Sequence, residues 1–471
     1  MSGPEEPGVG APDEHGVGGP EEPAASATPA PDRAAELAAM EGLFDALWPL
    51  PRSLTGDGVR ETHRLISSVM PLETFEVPSG TRVFDWTVPP EWRVNEAYVV
   101  APDGRRVLDF AESNLRLVGY SAPFRGRMTL DELQAHLHSL PDLPDAVPYV
   151  TSYYKERWGF CLSERERSSL PPGEYEVVVD TELFPGSLTY SHAVLPGETG
   201  HEVLLTSYTC HPSLANNELS GPLLLAFLHR RLAAWPRRRL TYRFVLAPET
   251  IGALAYLHAH GEHLRRAVVA GYVVTCTGGP GGLTYKRSRD PSLANRAAEH
   301  VLSRWDEPDR PTVMDFTPVG SDERQFCSPG FRLPVGSLMR ARYGTYREYH
   351  TSLDDKAFMD LSAVQRTLDA YEAVCRVLDG NETLLNLSPY GEPRLGERGL
   401  YPDLSVGGRN HRVNEAVFWV LNLCDGEHDL LAVAERSGLA FDEVREAADR
   451  LVAAGLLAPG GPAPRGASST R

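Results

Sequence analysis

Four near-continuous apolar runs constrain this chain more than any other feature: HEVLLTSYT (His201–Thr209), LTYRFVLA (Leu240–Ala247), AVVAGYVVT (Ala267–Thr275) and LPVGSLM (Leu333–Met339). Runs of this length without polar alternation suit strands buried on both faces, the condition of a parallel sheet covered by helices. Apolar helical stretches such as GPLLLAFLHRRLAAW lie between them, so the chain after about Leu188 reads as an α/β domain. In open sheets of this kind ligands gather beyond the carboxyl ends of the strands. The polar clusters of this sequence fall there.

The rest of the chain has other textures. Residues 35–70 carry two apolar-periodic helical stretches separated by a Pro/Gly break. From about Thr74 to Thr181, short β-type runs such as EAYVVAP, PYVTSYY and YEVVVD alternate with Pro and Gly, the pattern of a small β-rich module. Near the C-terminus, three helical segments followed by GLLA follow the order of a winged helix-turn-helix over residues 409–460. A linker is expected over 386–408. Residues 1–33, dense in Pro, Gly, Ala and Glu, read as a disordered tail without the basic and apolar regions of a secretion signal, and 461–471 as a second tail.

Charge narrows the choice of partners. The formal net charge is −18, which repels phosphate backbones and anionic lipid. Between Arg412 and Ala458 nine acids face four arginines and no lysine, so the winged helix reads as a docking or dimerisation module and not as a DNA reader. No run of about 18 apolar residues is present, so no membrane span is expected. The six cysteines, at positions 161, 210, 276, 327, 375 and 424, show no CxxC spacing and suit a reducing cytoplasm.

Four clusters carry chemistry. The first, SYTCHPSLANNELSG (Ser207–Gly221), holds Cys210, His211, Asn217, Glu218 and Ser220. Taken alone it permits a metal ligand at His211, a nucleophile at Cys210, or a helix cap by Asn217 or Ser220. Cys210 and His211 are adjacent, so a continuing strand would send their side chains to opposite faces and leave Cys210 an inert buried thiol. The second cluster, APETIG, sets Glu249 just after an apolar strand, where a low-dielectric floor raises a carboxyl pKa toward that of a general base. The third, GSDERQFCSPG, carries Asp322, Glu323 and Arg324. The fourth, REYHTSLDD, carries Glu348, Tyr349, His350, Asp354 and Asp355, with His350 a second histidine in a loop after another strand. Arg340, in SLMRARYG, is placed to hold a substrate carboxylate.

Together with VFDWTVPPEW and SYYKERWGFCL, these motifs resemble a bacterial aminopeptidase-like family, first described as a domain of unknown function and often associated with polysaccharide or secondary-metabolite gene clusters. The similarity covers roughly residues 35 to 460. The resemblance implies a zinc-aminopeptidase-like α/β domain of three layers, α/β/α, over residues 34–73 and 182–385. It also implies a nested small β-rich domain over 74–181 and a C-terminal winged helix. That catalytic domain is in turn similar to zinc aminopeptidases and glutaminyl cyclases. Carried over residue by residue, the pattern makes His211 and His350 metal ligands, Glu249 the general base, and Asp322 the acid near the metal. The pattern's bridging Asp falls on Asn217 and its second paired acid on Thr250, so a two-zinc centre would lose most of its carboxylates.

The expectation is therefore one zinc ion per chain held by His211, His350 and a displaced acid, for which Glu218 and Asp322 are the candidates and Glu218 is taken, with Glu249 and Asp322 as the catalytic pair. Asn217, Glu323, Arg324, Arg340 and Tyr349 are the candidate substrate contacts. The activity expected is hydrolysis of a small peptide or amide in a biosynthetic pathway. The alternative is a silent scaffold that binds a metabolite or carrier protein. A homo-oligomer or a carrier-protein partner through the winged helix is the expected assembly, with no nucleic acid and no membrane.

Overall fold

A computed structural model describes residues 32–400 and 409–460 of the chain. The expected tails, apart from Asp32 and Arg33, and the part of the expected linker over 401–408 lie outside the described residues. The core is an eight-stranded sheet. Its order is Glu73–Pro78, Ser187–Leu195, Thr241–Ala247, Glu202–Tyr208, Val268–Val273, Val335–Met339, Thr284–Lys286 and Thr312–Met314. The four apolar runs form its centre, and they pair in parallel. Glu202–Tyr208 is buried at every position, as its unbroken apolar pattern requires.

Helices cover both faces and give three layers. On one side lie Arg33–Leu47, Ser220–Ala233, Leu293–Leu302 and Leu361–Gly380, whose apolar residues share one core with that face of the sheet. On the other side Ile251–Ala267 packs with the β-rich module over a second core. Gly221 sets how closely the first layer approaches: a Cβ there would stand 2.3 Å from both Ser207 Oγ and Val274 O. Only glycine lets that helix start lie on the sheet. The chain leaves Glu202–Tyr208 for the neighbour on one side, Thr241–Ala247, and returns to the neighbour on the other, Val268–Val273. A topological switch point, where loops part and leave a crevice, therefore sits at the carboxyl end of Glu202–Tyr208.

The β-rich module contains a four-stranded antiparallel sheet of Arg106–Val107, Glu91–Val100, Glu174–Phe184 and Phe124–Thr129. Its boundary differs from the expected residue 74: Glu73–Pro78 pairs with Ser187–Leu195 and belongs to the main sheet. The segment PYVTSYY, expected as a β-run, is a loop touched only by isolated bridges at Pro148 and Thr151. It crosses back to the main domain, where Tyr149 N donates to His350 O at 2.8 Å.

The C-terminal unit also starts earlier than expected. Thr383–Asn386 forms the central strand of a three-stranded sheet with Asp425–Asp429 and Leu457–Pro459. The segment expected to be a linker after residue 386 thus connects two parts of one unit, whose helices are Arg409–Leu423, Leu430–Ser437 and Phe441–Ala453. That unit is tied to Leu293–Leu302: Arg296 pairs with Asp429 and Glu435 at 2.8 and 2.9 Å, and Phe441 N donates to His300 Nε2 at 3.1 Å. Among the described residues no helix is long and apolar enough to cross a membrane.

Candidate active site

The switch point carries the first cluster. After Tyr208 the strand stops, and Ala215–Leu219 makes one wide π-helical turn before the helix Ser220–Ala233. Such turns recur at functional sites because they aim side chains that a regular helix would bury in its own ladder. Neither Asn217 nor Ser220 caps this start. The Asp354 carboxylate, 137 and 138 residues along the chain, accepts from Asn216 N at 2.6 Å and Asn217 N at 3.0 Å. Ser220 Oγ instead donates back to Asn216 O. A long-range carboxylate therefore holds the turn that a local cap was expected to hold.

His211 is oriented from two directions. Its Nδ1 shares a 2.8 Å hydrogen bond with Glu218, and its carbonyl accepts from the fully buried Arg52 Nε at 2.9 Å. Its other nitrogen, Nε2, stands 3.9 Å from Glu249. The His350 ring lies with its centroid 5.3 Å from that of His211, and its buried Nε2 has no hydrogen-bond partner. Tyr349 stacks on His350 at 3.9 Å between centroids. Burial pushes both imidazoles down to about 3, helped at His211 by the nearby Arg52 charge and at His350 by His211. Both rings are neutral, each keeping a nitrogen lone pair.

The acids are displaced the other way. Burial pushes Glu249 up to about 7, against the pull of Arg324, and raises Asp322 well above the usual range, with the Glu249 charge adding to it. Asp322 accepts from Thr250 N at 2.8 Å, and Arg324 Nη2 donates to Thr250 Oγ1 at 2.9 Å. These two contacts pin Thr250 at φ 62° and ψ −79°, a conformation that β-branched residues avoid. The turn they hold is the one that presents Glu249.

Several expected contacts are not in the cleft. Glu323 is fully buried and ion-paired with Lys286, while Tyr343 donates to it at 3.0 Å. Arg340 is bidentate to Glu307 at 2.7 and 2.9 Å and also donates to Gly281 O. Arg340 is satisfied within the fold, and the Glu323 charge is met by the Lys286 ammonium, although both partners of Glu323 bond Oε1 and its buried Oε2 has none. Asn217 is buried, and neither atom of its amide has a hydrogen-bond partner. Glu218 differs from its expected place as well, lying on the Nδ1 side of His211, behind the ring as seen from the cleft. Cys210 Sγ lies 3.3 Å from His211 Nδ1, so the two side chains are not on opposite faces, because the strand ends before them. The thiol remains inert, since burial raises its pKa well above the ordinary value.

The resulting cleft has a volume of about 440 Å³. His211, Glu249, Thr250, Arg324 and His350 line one side, and Trp86, Tyr149 and Tyr154 from the β-rich module line the other. Sequence reasoning missed Arg52 and Tyr149 as parts of this site, and gave Asp354 no role although it lies in the REYHTSLDD cluster. Arg52 sits in the Pro/Gly break PRSLTG, and a buried guanidinium leaves no periodic trace there. Tyr149 lay inside a run read as a strand.

A metal fits part of this arrangement. The nitrogen of His350 without a partner and the cleft-facing Nε2 of His211 are neutral donors of the kind zinc takes. The sulfur of Cys210, a nitrogen of His211 and a carboxylate oxygen of Glu218 also lie within 4.8 Å of one another. That group, however, draws on a thiol kept protonated and on the carboxylate already bonded to Nδ1. A second ion finds only the uncharged Asn217 and Thr250 and does not fit.

Comparison with known proteins places this geometry in a family. Residues 42–381 match a domain of unknown function, DUF4910, and residues 382–459 match a winged helix-turn-helix. A Clostridium acetobutylicum protein, provisionally named for polysaccharide biosynthesis with an aminopeptidase-like domain, is 45% identical over 88% of this chain and 95% of its own. A crystal structure of a provisionally assigned peptidase from Clostridium acetobutylicum superposes with a TM-score of 0.84 at 42% identity, covering 90% of this chain and 97% of that one. The zinc aminopeptidase of Bacillus subtilis shares the fold at a TM-score of 0.53 and 13% identity, over 72% of this chain and 93% of its own. The three-layer domain is thus zinc-aminopeptidase-like in fold, and the chain belongs to the DUF4910 family, with a winged helix-turn-helix at its C-terminal end.

Proposed function

We propose that this chain hydrolyses a small peptide or amide bond in a biosynthetic pathway, with Glu249 as general base and one zinc ion held by His211 and His350. The observation that carries the proposal is Glu249 itself. It is a carboxyl pushed up to about 7, at the end of a buried strand, facing the Nε2 of an oriented imidazole across a cleft large enough for a dipeptide-sized ligand.

A zinc ion at the two imidazoles supplies a Lewis acid for the substrate carbonyl and lowers the pKa of water beside it. The protein does the rest. Glu249 takes a proton from the attacking water as the oxygen adds to the carbonyl carbon. The same carboxyl then delivers that proton to the amide nitrogen as the C–N bond breaks, leaving an acid and an amine. Glu218 fixes the His211 ring by bonding Nδ1, the arrangement that keeps Nε2 aimed at the cleft. Asp322 acts through Thr250 N, holding the turn that carries Glu249. A catalytically silent binding site is the second reading, favoured by the neutral Asn217 where a second ion would need a charge.

In a biosynthetic setting the acidic C-terminal unit acts as a docking module for a second copy or a carrier protein. Its nine acids against four arginines between residues 412 and 458 support that role. The deciding experiment is metal analysis and amide-hydrolysis assay of protein purified without chelator. Less than about 0.2 metal per chain, with no activity restored by zinc, manganese or cobalt, sinks the proposal.

A further inference from the structure

Arg324 differs from the buried Arg340 and Arg231. Arg340 and Arg231 each meet at least one carboxylate within 4.0 Å in a bidentate or networked pair. Arg324 lines the cleft, yet among the described residues no carboxylate lies within 4.0 Å of its guanidinium. One nitrogen, Nη2, is tethered to Thr250 Oγ1 at 2.9 Å. This tether sets the guanidinium beside Glu249 and leaves most of its donors without a protein acceptor.

The remainder of the cleft sharpens the point. Glu249 is the one carboxylate among the lining residues, and the proposed reaction uses it as the base. Asp322 does not line the cleft and accepts from Thr250 N. A substrate ammonium would therefore meet a fixed cation and no spare anion, while a substrate carboxylate would meet a cation without a counter-ion. Across the opening, Trp86 and Tyr154 are 41% and 51% exposed, and their rings meet edge to face at 5.5 Å between centroids. Exposed aromatic rings at the rim of a polar cleft are suited to an apolar or aromatic substituent.

We infer that the cleft takes an amide bearing a carboxylate, of the N-acyl amino acid type, with the carboxylate on Arg324 and an apolar group against Trp86 and Tyr154. This rests on the hydrolase reading for the identity of the bond, but binding alone tests it. It also predicts that a free amino terminus is not the recognised end.

The test uses the full chain carrying Glu249→Gln, so that binding is read without turnover. Calorimetric titration compares N-acetyl-L-phenylalanine, N-acetyl-L-phenylalaninamide and L-phenylalaninamide. The carboxylate probe is expected to bind about tenfold or more tightly than its amide, because a guanidinium pairs with a carboxylate through two charge-assisted hydrogen bonds. Arg324→Met removes that difference and Arg324→Lys retains part of it, with thermal melting showing that both variants fold. Equal affinity for the two acetylated probes would overturn the inference. So would a preference for L-phenylalaninamide, a carboxylate preference that survives Arg324→Met, or no binding of the carboxylate probe at millimolar concentration. A carboxylate preference in a chain whose Glu249 form hydrolyses no amide defeats the hydrolase reading and leaves this inference standing.

Discussion

The cleft around Glu249 and the buried pair of Lys286 with Glu323 lie close together and are built from the same residue types, yet they differ in whether each charge has a counter-ion. Glu323 meets an ammonium and a phenol at Oε1, its buried Oε2 has no hydrogen-bond partner, and Lys286 also donates to Val319 O at 2.7 Å. In the cleft, by contrast, the Nε2 of His350 has no partner, the guanidinium of Arg324 has no counter-ion, and Glu249 is raised by burial with only partial compensation. A buried charge that the fold pairs with an opposite charge is part of the fold. One that the fold leaves incomplete is held ready for something else. Arg340, locked to Glu307, belongs with the first kind.

Substitutions can break or sharpen that contrast. Glu249→Gln should lower kcat roughly a hundredfold or more while leaving metal content and melting temperature near those of the parent. Full activity in that variant would remove the base from the mechanism. Lys286→Met should do the reverse. It should cost about 3–5 kcal/mol of stability in denaturant unfolding, because it strands the buried Glu323 carboxylate. A loss below about 1 kcal/mol would show that this pair is no more satisfied than the cleft.

Arg340→Met should destabilise by about 2–3 kcal/mol and leave KM unchanged in the folded fraction. A raised KM would return Arg340 to the substrate contacts. Asp354→Asn should cost about 1 kcal/mol, since one of the two acceptors for Asn216 N and Asn217 N is retained. The smallest change in stability, under about 1 kcal/mol, is expected for His350→Gln, because Nε2 makes no bond to lose. The same variant should lose metal measured by elemental analysis.

The sequence by itself determined the sheet. Unbroken apolar runs can be buried only on both faces, and each of the four central strands lies within two residues of its expected bounds. It also set His211 and Glu249 just after buried strands, where a polar residue has few places to go except the crevice at the strand end, while the roles expected of Asp322 and His350 rested on the family resemblance. The first boundary of the β-rich module and the start of the C-terminal unit were not legible. Glu73–Pro78 and Thr383–Asn386 take their sheet membership from hydrogen bonds to partners far along the chain.

The same limit applied within the site. Glu218 and Glu323 are both acids beside a catalytic candidate, and nothing local distinguishes a carboxylate bonded behind His211 from one paired with Lys286. Asp354 looked like one more loop acid and is the anchor of the turn over Asn216 and Asn217. Which polar groups are satisfied depends on partners tens to hundreds of residues away. Hydrogen-bond satisfaction is therefore a property that only the tertiary structure decides.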